Sequence, residues 1–217
     1  MKSNDTIAII EHDLTTDFAK EKYLELIISR MDESKRILNK TLFWLFLLAI
    51  AFFLISNSKI DGLSFPPFDK IDGRTILIFI PSIFSICYYY YCATWMNYIQ
   101  QRQIYNHLTS LIFNIEVDSH LNDHIQPFNF LNILVKHNES ENKNFLGYFT
   151  SWVMIPIAFL MLLSPFVFVI YSLYVNNNNL KLESWQVTLN FFVPILMLIL
   201  LILMFIKSFR INVLGKE

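Results

Sequence analysis

The sequence predicts an all-α membrane protein with four transmembrane helices and a cytoplasmic helical region. Three observations lead there. Of 217 residues, 54% are hydrophobic and 16% charged, with a mean hydropathy of +0.43; a soluble domain has about 45–50% apolar and about 25% charged residues. The apolar excess is gathered into four blocks rather than spread along the chain, which is the pattern of spans and not of one buried core. No Asp, Glu, Lys, Arg or His lies inside any block. Backbone groups in lipid must find partners within the segment, so single runs this apolar are read as helices.

The first span covers 41–57 and includes TLFWLFLLAIAFFLIS, apolar on all sides and close to the minimum crossing length. The second covers 75–99, the third 149–175 and the fourth 187–206. Trp44, Trp95, Tyr98, Trp152, Tyr174 and Trp185 lie near block ends, where aromatic belts form.

An even span number puts both termini on one side. Lys35, Arg36 and Lys40 precede the first span, Arg102, Lys136 and Lys143 lie between the second and third, and Lys207, Arg210 and Lys216 follow the fourth. The positive-inside rule then makes both termini cytoplasmic, which in a bacterium means an inner-membrane protein. The polar, acidic start of the chain is too long for a signal peptide and is expected to be retained.

Residues 1–40 form a cytoplasmic segment. Within it Leu24, Ile28, Met31 and Leu38 recur at helical spacing from about Asp17, with Asp17 or Thr16 as cap. This helix is expected to run straight into the first span. The insert 100–148 carries a stripe, Ile104, Leu108, Leu111 and Ile115, that continues the second helix out of the membrane. A second stripe runs through Leu121, Ile125, Phe128, Leu131 and Val135, with Pro127 kinking or ending it. The outer loop 58–74 holds a small repeat, Lys59-Ile60-Asp61-Gly62 and Lys70-Ile71-Asp72-Gly73, read as two Asp-Gly turns around Phe65-Pro66-Pro67-Phe68. The second outer loop, 176–186, begins with the run Asn176 to Asn179, and 207–217 is a cytoplasmic tail.

Few residues point to chemistry. Ser82, Ser85, Tyr89 and Cys92 form the most polar stripe in any span. Such a stripe either hydrogen-bonds a neighbouring helix or lines a water path, so these four are pore-lining candidates with helix packing as the alternative. Arg30, Lys35, Arg36, Lys40 and Arg102 gather near the inner face. They suit attraction to anionic lipid or an anion or nucleotide site assembled from several subunits around a symmetry axis. His120 and His124, four apart beside Asp118 and Asp123, have a metal-compatible spacing but no evident third and fourth ligands. Cys87 and Cys92 both sit in the second span, so no disulfide framework is implied. With four glycines and no GxSxG, HExxH or CxxC, no phosphate loop, cofactor site or enzyme is predicted. A net charge of −1 steers no nucleic acid by a global field.

The polar N-terminal helix entering TLFWLFLLAIAFFLIS, with the helical insert IYNHLTSLIFNIEVD to LNILVKH, gives an overall plan. It resembles the small multi-pass effectors of bacterial anti-phage systems, most nearly the Hailong-type membrane effectors. The resemblance covers the whole chain in plan and assigns no residue. It implies a tetramer whose cytosolic helices hold a single-stranded DNA pocket above a membrane channel, paired with a nucleotide-signal enzyme. The expectation is therefore a homo-oligomeric ion channel or permeabilising effector controlled at its cytoplasmic helices. The alternative is a non-conducting anchor or scaffold recruiting a cytosolic partner.

Overall fold

A computed structural model describes residues 16–57, 62–65, 68–113, 163–178, 180 and 183–214. Four helices and one short ribbon make up the described structure: helix α1 Asp17–Ser56, strands β1 Gly62–Phe65 and β2 Phe68–Asp72, helix α2 Gly73–Phe113, helix α3 over 163–178 and helix α4 Ser184–Leu214. The second stripe with Pro127, the pair His120 and His124, and the start of the third apolar block all lie outside the described residues.

Three helices are long and apolar enough to cross a membrane: α1, α2 and the Ser184–Lys207 part of α4. The described part of the third block is α3, too short by itself to count with them. Large apolar side chains stay exposed on these helices, among them Phe43, Phe46 and Phe53 on α1 and Phe192, Ile199 and Leu203 on α4. Phe46 is 65% exposed. Exposed apolar side chains of this kind mark a surface that meets lipid or another protein.

Local chemistry sets the helix ends. Thr16 caps α1, its Oγ1 accepting from the Ala19 amide at 3.3 Å, and Asp17 adds negative charge to the first turn. At the other end, the Phe53 carbonyl accepts from the Asn57 amide at 3.3 Å and from Asn57 Nδ2 at 2.7 Å, closing a carbonyl that would lack a helical partner. Gln186 starts α4 by reaching back to accept from the Glu183 amide at 2.9 Å, the reciprocal half of a capping box.

The second copy of the repeat does not form an Asp-Gly turn; Lys59, Ile60 and Asp61 of the first lie outside the described residues. Gly62 and Asp72 instead face each other as partners in an antiparallel ribbon, followed by Leu63 with Ile71, Ser64 with Lys70 and Phe65 with Phe68. Lys70, Ile71 and Asp72 of the second copy thus lie in β2, and Gly73 opens α2. Backbone pairing satisfies more main-chain groups than two isolated turns would.

The chain divides into two compact units. In the first, the early part of α1 packs on the late part of α2 around Ile27, Met31, Leu38, Tyr98, Tyr105 and Leu108. Tyr23, Leu24, Ile28, Tyr91, Trp95 and Ile104 flank this core. The sequence stripe Leu24, Ile28, Met31, Leu38 therefore marks one side of the buried face, and its centre also takes in Ile27 and Ser34. In the second unit, aromatic rings fill the space between helices. Phe52 meets Phe168 edge-on at 5.5 Å, Phe84 approaches Phe168 to 4.3 Å, and Tyr88 packs edge-on to Phe166 at 5.7 Å. Such ring pairs add about 0.5–1.5 kcal/mol beyond area burial.

Candidate functional site

Each unit carries one polar cluster set in apolar surroundings. In the second unit it grows from a proline. Pro81 sits inside α2 and has no amide hydrogen, so the Leu77 carbonyl four residues earlier loses its helical donor. Asn176 of α3 supplies the missing donor: its Nδ2 lies 2.7 Å from the Leu77 oxygen and 3.1 Å from Asn190 Oδ1 of α4. The Asn190 Nδ2 in turn reaches the Gln186 carbonyl at 3.3 Å. Both asparagines are almost wholly buried, at 1% and 0% exposure. Three helices are thereby tied by two amides, the polar glue expected where lipid supplies no hydrogen bonds. Asn176 Oδ1 has no partner.

This cluster absorbs half of the polar stripe of α2. Ser82 Oγ donates to the Leu189 carbonyl of α4 at 2.9 Å. Ser85 Oγ donates back along its own helix to the Pro81 carbonyl at 2.7 Å, a common local bond of intramembrane serine. Both are buried, as is Cys92, and Tyr89 is half-buried. The exposed positions of the same stretch are Ile83, Ile86 and Tyr90. Ser82 thus bonds α4, and Ser85 bonds its own helix. Asn176 also departs from the sequence reading: it belongs to α3 and not to a polar loop, because a buried carbonyl needs its amide. Asn190 was legible only as an isolated amide in an apolar run, and Asn176 only through its spacing from a proline on another helix.

In the other unit the polar cluster sits on α1 and α2. Ser34 Oγ donates to Gln101 Oε1 at 3.1 Å, both groups buried. Arg102 and Tyr105 follow on α2. Tyr105 is fully buried and its hydroxyl has no acceptor; Arg102 is half-buried and its Nε has none either. Burial pushes the Tyr105 phenol above its ordinary value of 10.0, so it remains a neutral donor at physiological pH.

The five cations singled out in the sequence do not converge. At about 100° per residue, Arg36 and Lys40 share one face of α1, opposite Ile27 and Leu38. Arg30 and Lys35 flank the buried side, and Arg102 belongs to α2. Arg36 shares a groove of about 660 Å³ with Glu25, Ile28, Ser29, Asp32 and Glu33. Three carboxylates to one guanidinium make that groove repel anions at close range. Further along the same helix, Lys22 and Glu25 pair at 2.9 Å, and that hydrogen bond, with the Glu25 charge, raises the Lys22 ammonium above its ordinary 10.5.

Among the described residues no three His, Cys, Asp or Glu side chains converge as a metal site would require. The chain's likeness to known proteins adds nothing to this geometry: no protein family, curated protein or solved structure matches it.

Proposed function

We propose that this chain is a multi-pass inner-membrane protein with four spans and cytoplasmic termini. It works as a homo-oligomeric channel or membrane-permeabilising effector controlled at its cytoplasmic helices. One observation carries the reading. α1 and α2 have 40 and 41 residues, about twice what a bilayer requires. The surplus does not trail into solvent but packs into a core of its own. A segment that only needed to anchor would gain nothing from a second core; a segment that receives a ligand or partner needs a folded surface. The dispersed cations Arg30, Lys35, Arg36, Lys40 and Arg102 support a charged ligand site only where several copies bring them together, as a symmetric oligomer would; that it is a tetramer follows from the resemblance of plan alone. A nucleotide or single-stranded oligonucleotide as ligand, a partner enzyme and a role in phage defence follow from the resemblance of plan alone.

The test is leakage of ions or dye from liposomes holding the purified protein. Conductance that rises with a ligand supports the channel; tight liposomes with every nucleotide and oligonucleotide tried sink it. A second reading, a non-conducting anchor for a cytosolic partner, is favoured by Ser82 and Ser85, whose hydroxyls are already used within the chain. It predicts a monomer in detergent, an intact permeability barrier and no effect of Ser85→Leu on any flux.

A further inference from the structure

Three helices are long and apolar enough to cross a membrane, and two of them expose only what lipid accepts. On α1 from Leu42 to Ile55, and on α4 from Leu189 to Ile206, every exposed side chain is aliphatic or aromatic. On α2 the pattern inverts. In the first unit the apolar run of this helix covers Tyr89 to Ile99, and its exposed residues are Tyr90 and Asn97, both polar. Tyr90 is 51% exposed. Among the described residues neither its hydroxyl nor the Asn97 amide has a hydrogen-bond partner. Seven residues apart, the two lie within about 20° of each other around the helix and about 10.5 Å apart along it. Ala93 and Thr94, between them on the same side, are small enough to let another helix come close. On the four-span reading Tyr90 stands about 13.5 Å along the helix from Ile99, the end of the run, so its hydroxyl sits among lipid tails. Tails offer a hydroxyl or an amide no partner, whereas a neighbouring helix does.

We infer that this side of α2, centred on Tyr90 and Asn97, is the surface through which copies of the chain meet in the membrane. The chemistry selects a second copy as the occupant. Every copy inserts in the same direction, so about an axis normal to the membrane equal residues stand at equal depth. A surface that meets its own copy must then pair with itself. Hydroxyl and carboxamide groups do so, because each both donates and accepts. A charged group at either place would instead face its like, and the run from Tyr89 to Ile99 holds none. A single polar side chain in an otherwise apolar seam also fixes the register of paired helices. The inference rests on the proposed homo-oligomer, and on no conductance.

Single cysteines are introduced into the full-length protein carrying Cys87→Ala and Cys92→Ala. Tyr90→Cys and Asn97→Cys test the surface; Phe46→Cys on α1 and Ile199→Cys on α4 are exposed comparisons. A disulfide needs Cα atoms within about 7 Å, so mild oxidation in liposomes should give covalent dimers from the two α2 variants and not from the comparisons. Separately, energy transfer between labelled copies is followed as the liposome lipid is diluted. Tyr90→Phe and Asn97→Leu should each weaken association about threefold, the size of an average hydrogen bond between membrane helices. Both positions are exposed, so these variants leave the packing within one chain intact. Dimers at Phe46→Cys or Ile199→Cys as abundant as at the α2 positions overturn the interface and leave an oligomer standing. Association of the double variant equal to that of wild type overturns the interface as well. Monomers at every dilution defeat the interface and the homo-oligomeric reading together. Dimers through this side of α2 in liposomes that leak nothing defeat the channel and uphold the interface.

Discussion

Pro81 and Asn176 are chemically linked, and the link can be measured. In the native chain the Leu77 carbonyl lacks its helical donor because residue 81 is proline, and Asn176 Nδ2 replaces it at 2.7 Å. Replacing Asn176 with Leu, of nearly equal size, leaves that buried oxygen unpaired at a cost of about 1–3 kcal/mol. It also breaks the 3.1 Å bond to Asn190 Oδ1, which at the average for bonds between membrane helices is about 0.6 kcal/mol. Removing the unpartnered Asn176 Oδ1 returns part of this, so the net loss should be about 1–3 kcal/mol. Pro81→Ala restores an amide hydrogen that can bond the Leu77 oxygen within α2. In that background Asn176→Leu should cost at least about 1 kcal/mol less. The cycle of two single variants and the double variant, unfolded in mixed micelles and followed by far-ultraviolet circular dichroism, gives this coupling directly. Additivity within about 0.5 kcal/mol, the range of independent sites, would refute the argument that the asparagine serves the carbonyl freed by the proline.

Other consequences follow from the α1–α2 core. Met31 is fully buried there, and Met31→Ala should lower unfolding free energy by about 2–5 kcal/mol; a change under 1 kcal/mol in the same titration would mean that this core does not hold the two helices. Ser34→Ala strips the donor from buried Gln101 Oε1 and should cost about 1–3 kcal/mol, most of it recovered by Ser34→Ala with Gln101→Leu. Without ligand, Tyr105→Phe should raise the melting temperature by several degrees, since an unpaired buried hydroxyl is removed; a lower melting temperature would show that the hydroxyl has a partner. The Tyr105 phenol is held above its ordinary 10.0 in the folded chain. The unfolded chain therefore releases that proton first, so this group's contribution is intact below pH 10 and declines as pH rises through the folded value. As pH rises above 10 the Tyr105→Phe variant should lose less stability than wild type, read by the same melts.

The apolar blocks and the helical stripes were legible in the sequence because both depend on short-range physics. Uncharged runs beginning at Thr41, Thr75 and Val187 coincide with helices able to cross a bilayer, since nothing but a helix satisfies its backbone in lipid. The stripe at Leu24, Ile28, Met31 and Leu38 declared a buried side because helical periodicity is local. The second KIDG copy was misread because an Asp-Gly pair signals a turn in isolation, whereas the register of Gly62 against Asp72 depends on pairing across the loop. The fate of polar side chains depended on partners distant in sequence. Ser82 meets a carbonyl 107 positions away, and Asn176 one 99 positions away. Spacing alone leaves a serine stripe free to line a path or to pack; only the arrival of α4 beside α2 supplies the acceptor that Ser82 uses. In the same way, charge counting gathered Arg30, Lys35, Arg36, Lys40 and Arg102 into one group, and the helix rotation spread the first four around α1 while Arg102 lies on α2. The sequence by itself determined which helices are long and apolar enough to cross a bilayer and which sides of them pack, because hydropathy and periodicity act within one helix. The tertiary structure alone decided which polar groups are satisfied and which, at Arg102 and Tyr105, still lack an acceptor, because a hydrogen bond needs two groups within about 3 Å and only packing brings them there.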